Sequence, residues 1–164
     1  MSVVSITEVR QYLTFKLDSD VFALDVATVR EVLDFTTVTK IPRTPEFMRG
    51  VINLRGSVVP VVDLRLAFGM SATEKTVNTC IIVVEVRLDG EAAIIGALAD
   101  SVEEVIDMEP DQIEPAPSIG TSIRIDFIQG MGKRENNFLM ILDIDRVFSA
   151  EQLAGLRAPV PVAA

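Results

Sequence analysis

The sequence predicts a mainly β protein built as two similar lobes, on three observations. Between Phe47 and Phe68 it reads FMRGVINLRGSVVPVVDLRLAF. Two runs rich in β-branched side chains, Gly50 to Leu54 and Val58 to Val62, flank Arg55-Gly56-Ser57, and apolar runs of strand length around a Gly free to take positive φ signal a β-hairpin. Val77 to Leu88 is a long apolar run that Asp89-Gly90 turns back into Ala92 to Ala99, and an Asp-Gly pair favours a primed hairpin turn. The run is too continuous to leave one face in water.

The third observation is an internal echo. Val29-Arg30-Glu31-Val32-Leu33-Asp34 resembles Val102-Glu103-Glu104-Val105-Ile106-Asp107, and Pro42 matches Pro115, at one shift of 73 residues. Phe47 to Val51 resembles Phe127 to Met131 at a shift of 80, and Val59 to Phe68 resembles Leu139 to Phe148 at that same shift, Asp63 matching Asp143 and Phe68 matching Phe148. Collinear matches of this kind predict two β lobes packed side by side, each too small to bury its own faces.

In chain order, Met1 to Thr7 reads as a loose lead-in. Gln11 to Leu17 alternates and reads as a strand; Asp18-Ser19-Asp20 turns it into a return strand, Val21 to Leu24. Asp25 caps a helical stretch in which Val26, Val29, Val32 and Leu33 share a face. Thr36 to Pro45 is extended and punctuated by Pro42 and Pro45. After the hairpin, Asp63 caps a short helix, Leu64 to Phe68, and Ser71 to Thr76 is a polar loop. Val102 to Met108 continues as a strand or bent helix, and Glu109 to Ser118 is Pro-rich and irregular. Ile123 to Met131 and Phe138 to Leu142 form another hairpin around Gly132 to Asn137. Asp143 caps Ile144 to Phe148, Ser149 to Leu156 is a last helix, and Arg157 to Ala164 frays. Residues 8–150 thus read as one domain with repeats at about 22–68 and 95–148.

Composition narrows the function. Of 164 residues, 49% are hydrophobic with no Trp, enough for a core of Val, Ile and Leu with apolar surface to spare. The net charge is −9, which disfavours phosphate backbones and anionic membrane surfaces as partners. The N-terminus lacks the basic and apolar regions of a signal peptide, and Cys80 to Val84 is too short to span a bilayer. One Cys suits a reducing cytoplasm.

Catalytic chemistry has no visible candidates. Without His there is no Ser-His dyad and no ordinary zinc site. Cys80 lies in an apolar run and reads as a small hydrophobe. Gly130-Met131-Gly132-Lys133 lacks the spacing and the Ser or Thr of a phosphate loop. Asp25, Asp63 and Asp143 each end a strand before a helical turn, so capping accounts for all three with one mechanism. The acidic run Asp100 to Glu114 has no calcium-loop spacing. No catalytic residue, metal site or cofactor is expected. The odd residue is Arg55: a long cation at a tight turn either idles in solvent or awaits a partner.

PEFMRGVINLRGSVVPVVDLR (Pro45 to Arg65), FALDVATVREVL (Phe22 to Leu33) and IEPAPS (Ile113 to Ser118) together resemble the CheW family of bacterial chemotaxis coupling proteins, over about residues 10–150. The resemblance implies two packed five-stranded SH3-like β-barrels with a few short helices. It implies a cytoplasmic, non-catalytic adaptor that joins the cytoplasmic tips of methyl-accepting chemoreceptors to the histidine kinase CheA through the kinase's regulatory domain, with no membrane insertion of its own. A coupling protein of another chemosensory system, controlling pili or development, is the alternative within the class. A ligand-binding barrel, which needs a pocket with convergent polar groups, is the alternative outside it. The partner-binding residues carried over are Arg55, Glu31, Val29, Gly50, Asn53 and Gly56. Arg55 offers a planar fork of donors, Val29 an apolar contact and Gly50 close access to the backbone. The bland readings are that Gly50 serves a bulge, Val29 belongs to the core and Glu31 pairs with Arg55 or Arg30.

Overall fold

A computed structural model of the chain describes residues 9–88, 90–115, 127–134 and 137–149. Eleven strands are assigned among them: β1 (Arg10–Leu17), β2 (Asp20–Asp25), β3 (Val29–Asp34), β4 (Met48–Leu54), β5 (Ser57–Asp63), β6 (Cys80–Leu88), β7 (Glu91–Ala99), β8 (Ser101–Met108), β9 (Ile113–Glu114), β10 (Ile128–Arg134) and β11 (Asn137–Leu142). Two short helices, α1 (Leu64–Ala67) and α2 (Ile144–Ser149), follow β5 and β11.

The strands form two sheets. The first runs β8-β1-β2-β11-β10-β9 and the second β3-β6-β7-β5-β4. Each is the five-stranded barrel unit expected, the first carrying the two-residue β9 as an additional edge. The echo in the sequence is physical. β4 and β10 both shift register at the same point, between Met48 and Gly50 and between Ile128 and Gly130. Asp63 donates its N–H to the Phe47 carbonyl at 2.7 Å, and Asp143 donates to the Phe127 carbonyl at 2.8 Å.

The repeats do not, however, make one sheet each. Parallel pairing of β2 with β11 and of β5 with β7 inserts strands of one half beside strands of the other. The first sheet takes β1 and β2 from the first half and its remaining strands from the second, whereas the second sheet takes β3, β4 and β5 from the first half and β6 and β7 from the second. The second sheet is one continuous stretch, β3 to β7, set between the β1–β2 hairpin and the later strands of the first, so the sequence repeats at about 22–68 and 95–148 do not coincide with the two sheets. A short strand buries little alone, and this arrangement lets every central strand be paired on both edges.

Three buried clusters account for the hydrophobic content. The largest lies between the sheets and draws on Leu13, Phe15, Phe22, Val62, Phe68, Ile82, Val84, Phe127 and Phe148. One smaller cluster fills the second barrel, with Ile52, Val61, Ile81, Val83 and Leu98; another fills the first, with Tyr12, Ala23, Met108 and Ile141. Side chains alternate across a strand, so Ile81 and Val83 enter one core while Ile82 and Val84 enter another. That is why β6 has no polar period.

Several boundaries differ from the expectations. Val26 to Leu33 is not helical: a 3-10 turn covers Val26–Thr28 and β3 follows. Short apolar spacing fits either period, and pairing of the β-branched Val29 and Val32 with β6 decides it. Glu31 therefore sits on a strand. Val77 is almost wholly exposed, and β6 starts at Cys80. Val102 to Met108 is strand, not bent helix. Asp89 of the expected primed turn, residues 123–126 of the expected strand, residues 150–156 of the last helix and both expected loose ends lie outside the described residues. All three caps form: Asp25 accepts from Ala27 N at 2.9 Å, Asp63 from Arg65 N at 3.1 Å and Asp143 from Arg146 N at 3.3 Å.

Candidate functional site

The β4–β5 hairpin closes in two residues, since Leu54 pairs with Ser57. Arg55 and Gly56 both have positive φ, 52° and 88°, as a primed two-residue turn requires. Gly56 meets this without cost, and open space surrounds it, so its glycine serves conformation and not contact. Arg55 holds a conformation that an L side chain resists, by about 1 kcal/mol or more. Asn53 supports the turn by accepting the Gly56 N–H on Oδ1 at 2.8 Å.

From this tip Arg55 reaches back to β3. Nη1 and Nη2 donate to the two carboxylate oxygens of Glu31 at 2.6 and 2.9 Å, a fork-to-fork pair. The hydrogen bond from Arg55 holds the Glu31 carboxyl below its ordinary pKa, and the same bond raises that of Arg55. Arg30 is not a competitor, because it pairs with Glu85 at 3.1 Å. The Arg55 side chain remains 73% exposed, so the pair presents a rigid charged feature to solvent.

The structure thus brings together Arg55, Glu31, Asn53 and Gly56, and sets Gly50 and Val29 apart. Gly50 is buried. A Cβ there would lie 2.1 Å from the Thr39 carbonyl oxygen. The backbone that approaches it is its own chain's, bonded through Thr39 and Val51 at 2.8 and 2.9 Å. Gly50 is accordingly a bulge residue and not an opening for a partner. Val29 is half-buried against the inter-barrel core. The exposed apolar residue on this hairpin is instead Val58, paired across from Asn53; Val32, also exposed, follows Glu31 but points to the opposite face of β3. Their repeat-matched counterparts, Val105 and Phe138, are also exposed. Val59 and Val61 enter the second barrel's core, so Val58 points to the other face of β5, where near the hairpin tip it is exposed while Val62 farther along is covered by the inter-barrel core.

Elsewhere, among the described residues, the Tyr12 hydroxyl is the one buried side-chain polar atom without a hydrogen-bond partner, whereas the buried acid is well satisfied. Asp63, fully buried, also accepts from Thr73 N and Oγ1 at 2.9 and 2.7 Å and from Arg49 at 2.9 Å. A half-open cleft of about 410 Å³ lies beside this cluster, lined by Lys40, Glu46, Met48, Arg49 and Leu66 among others. Arg49 is committed to Asp63 and the Thr73 carbonyl, which leaves Lys40 and Glu46 as the other charged groups at the cleft wall. Burial pushes the Cys80 thiol above its ordinary pKa, opposite to what a nucleophile needs. Among the described residues no cluster of three or more metal-ligating side chains occurs, and no helix is long and apolar enough to cross a membrane.

Comparison with known proteins gives one answer. A CheW-like domain model matches residues 11–152. The chain is 32% identical to Chemotaxis protein CheW of Klebsiella aerogenes, covering 88% of this chain and 85% of that protein. It is also 32% identical to Chemotaxis protein CheW of Rhizobium meliloti, covering 87% and 90%. Among solved structures, the scaffolding protein TtCheW from Thermoanaerobacter tengcongensis superposes with a TM-score of 0.77 at 35% identity, over 87% of this chain and 90% of that one.

Proposed function

The chain belongs to the CheW-like family and is a chemotaxis adaptor, and from that premise we propose that it couples the cytoplasmic tips of chemoreceptors to the regulatory domain of the histidine kinase CheA. In this reading it acts in the cytoplasm, carries no catalysis of its own and joins receptor arrays only through its partners. The observation that carries the reading is the Arg55–Glu31 pair, a preformed charged fork on the tip of a two-residue turn. A partner that engages it meets a feature already fixed in place, so little ordering is needed on binding.

Arg55 and Glu31 supply the polar part of this surface, and Val58 on the same hairpin adds exposed apolar area. Asn53 and Gly56 hold the turn. The adaptor works by rigidity: two partners held on one body have a set mutual pose, and a shift in the receptor alters the kinase through contacts that differ between signalling states. Co-sedimentation of the protein with receptor and kinase tests this. Arg55→Ala should fold normally, with a melt only slightly below that of the parent, and lose roughly 2 kcal/mol of coupling. Unchanged kinase activation by that variant would remove Arg55 from the interface.

A further inference from the structure

Each sheet is shared between the two halves of the chain, and this has a consequence for assembly. Let the chain be divided in the connector from Gly69 to Thr79, between β5 and β6. Four strand pairs then cross the division: β1 with β8, β2 with β11, β3 with β6 and β5 with β7. The pairs that stay within one half are hairpins and the short β9 edge. Neither half owns a complete sheet, and the core between the sheets draws on both.

The connector is fastened at its two ends, and its middle holds a local turn that an exchange would have to open. Thr79 Oγ1 accepts the Thr76 N–H at 2.8 Å and donates to the Glu74 carbonyl at 3.3 Å, and the Lys75 ammonium stands 5.1 Å over the Phe35 ring. Ser71 is held by Arg65, at 2.9 Å through its carbonyl and 3.1 Å through Oγ, and Thr73 is held by Asp63. At the far end the Thr79 carbonyl accepts from Phe35 N at 3.2 Å. Between these anchors Glu74, Lys75, Thr76, Val77 and Asn78 are all exposed. Five residues can extend to roughly 17 Å.

We infer that the two half-chains are obligate complements, and that the 74–78 segment lets one copy of this chain exchange a half with a second copy, giving a dimer of two complete double barrels. Every pairing in such a dimer is a pairing already present in the monomer; only the path of five surface residues differs. Exchange of this kind is a low-cost route to a dimer. Closure within one chain wins when chains are dilute, because the tethered half is at high effective concentration, so the dimer forms on refolding from concentrated unfolded chain. The dimer would carry two Arg55 hairpins.

The test uses the full chain with a protease recognition site placed after Lys75, prepared in isotopically light and heavy forms. Folded monomer, once cut, should stay a single particle of unchanged mass in native mass spectrometry until denaturant is added. A monomer that falls into halves on cutting would overturn the complementarity. Light and heavy chains are then unfolded together, refolded at high concentration and fractionated. A dimer is expected that on cutting converts to monomer-sized particles, about half of them joining a light first half to a heavy second half or the reverse, as random pairing dictates. No dimer at any refolding concentration, a dimer that keeps its size after cutting, or particles with halves of one label only would each overturn the exchange.

Discussion

Arg55 holds a conformation that costs free energy at a place where a glycine would not. Two bonds to Glu31 offset that cost, and the Asn53 side chain braces the turn from within. The carboxylate end of this pair is sensitive to acid. Arg55 lowers the pKa of Glu31 below its ordinary value of 4.5, so the contribution is present above that value and fades as pH falls through and below it. Glu31→Gln should therefore melt slightly below the parent protein at neutral pH, and the two should converge near pH 3. Melts recorded at both pH values check the sign. A gap that widened in acid would show that Glu31 acts otherwise. The arginine could be singled out from the sequence because a long cation at a hairpin tip has few local partners. Its partner is one of two alternatives the sequence offers for Glu31, Arg55 or Arg30, and only the fold decides between them, because the carboxylate lies 24 residues away on an element that spacing reads as helix and pairing makes a strand.

At the level of the element, the same misreading has a physical source. Val26, Val29, Val32 and Leu33 satisfy a helical face and a strand equally over so few residues, and only pairing with β6 separates the two. Hairpins are legible because glycine marks their turns: the sequence places this one at Arg55-Gly56-Ser57, and the structure tightens it to Arg55-Gly56. The bulge is legible only as one alternative at Gly50. Gly50 reads as a place for close approach, which is correct, but the sequence does not say whose backbone arrives. Thr39 does, and no side chain fits between. Gly50→Ala should cost roughly 2 to 4 kcal/mol, from overpacking plus an unfavourable φ. Chemical denaturation measures it. Any loss of partner binding should track that loss of stability, as expected of a residue that shapes the strand. A fully stable Gly50→Ala protein with weakened coupling would return this position to the interface.

For the molecule as a whole, the internal echo disclosed the number of barrels but not their composition. Similarity between halves says that two like units exist; it carries no information on which strands lie beside which. That depends on parallel pairs, β2 with β11 and β5 with β7, between residues far apart in the chain. Because each core is shared, damage inside one barrel should reach every surface. Val83 is 1% exposed within the second barrel. Val83→Ala should lower stability by roughly 1 to 3 kcal/mol. It should also weaken receptor and kinase binding together, in contrast to the selective effect expected of Arg55→Ala. A melt and the co-sedimentation assay, run side by side, distinguish the two.

Asp100 is the one residue between β7 and β8, where the chain passes from the second sheet to the first. Its N–H bonds the Lys16 carbonyl, and its carboxylate receives both the Asp18 N–H and the Arg65 guanidinium. A crossing point bolted on every side makes a poor joint. Bending at this crossing would break those bonds, so the two barrels are coupled there like plates under one rivet, and Asp100→Ala should loosen that join.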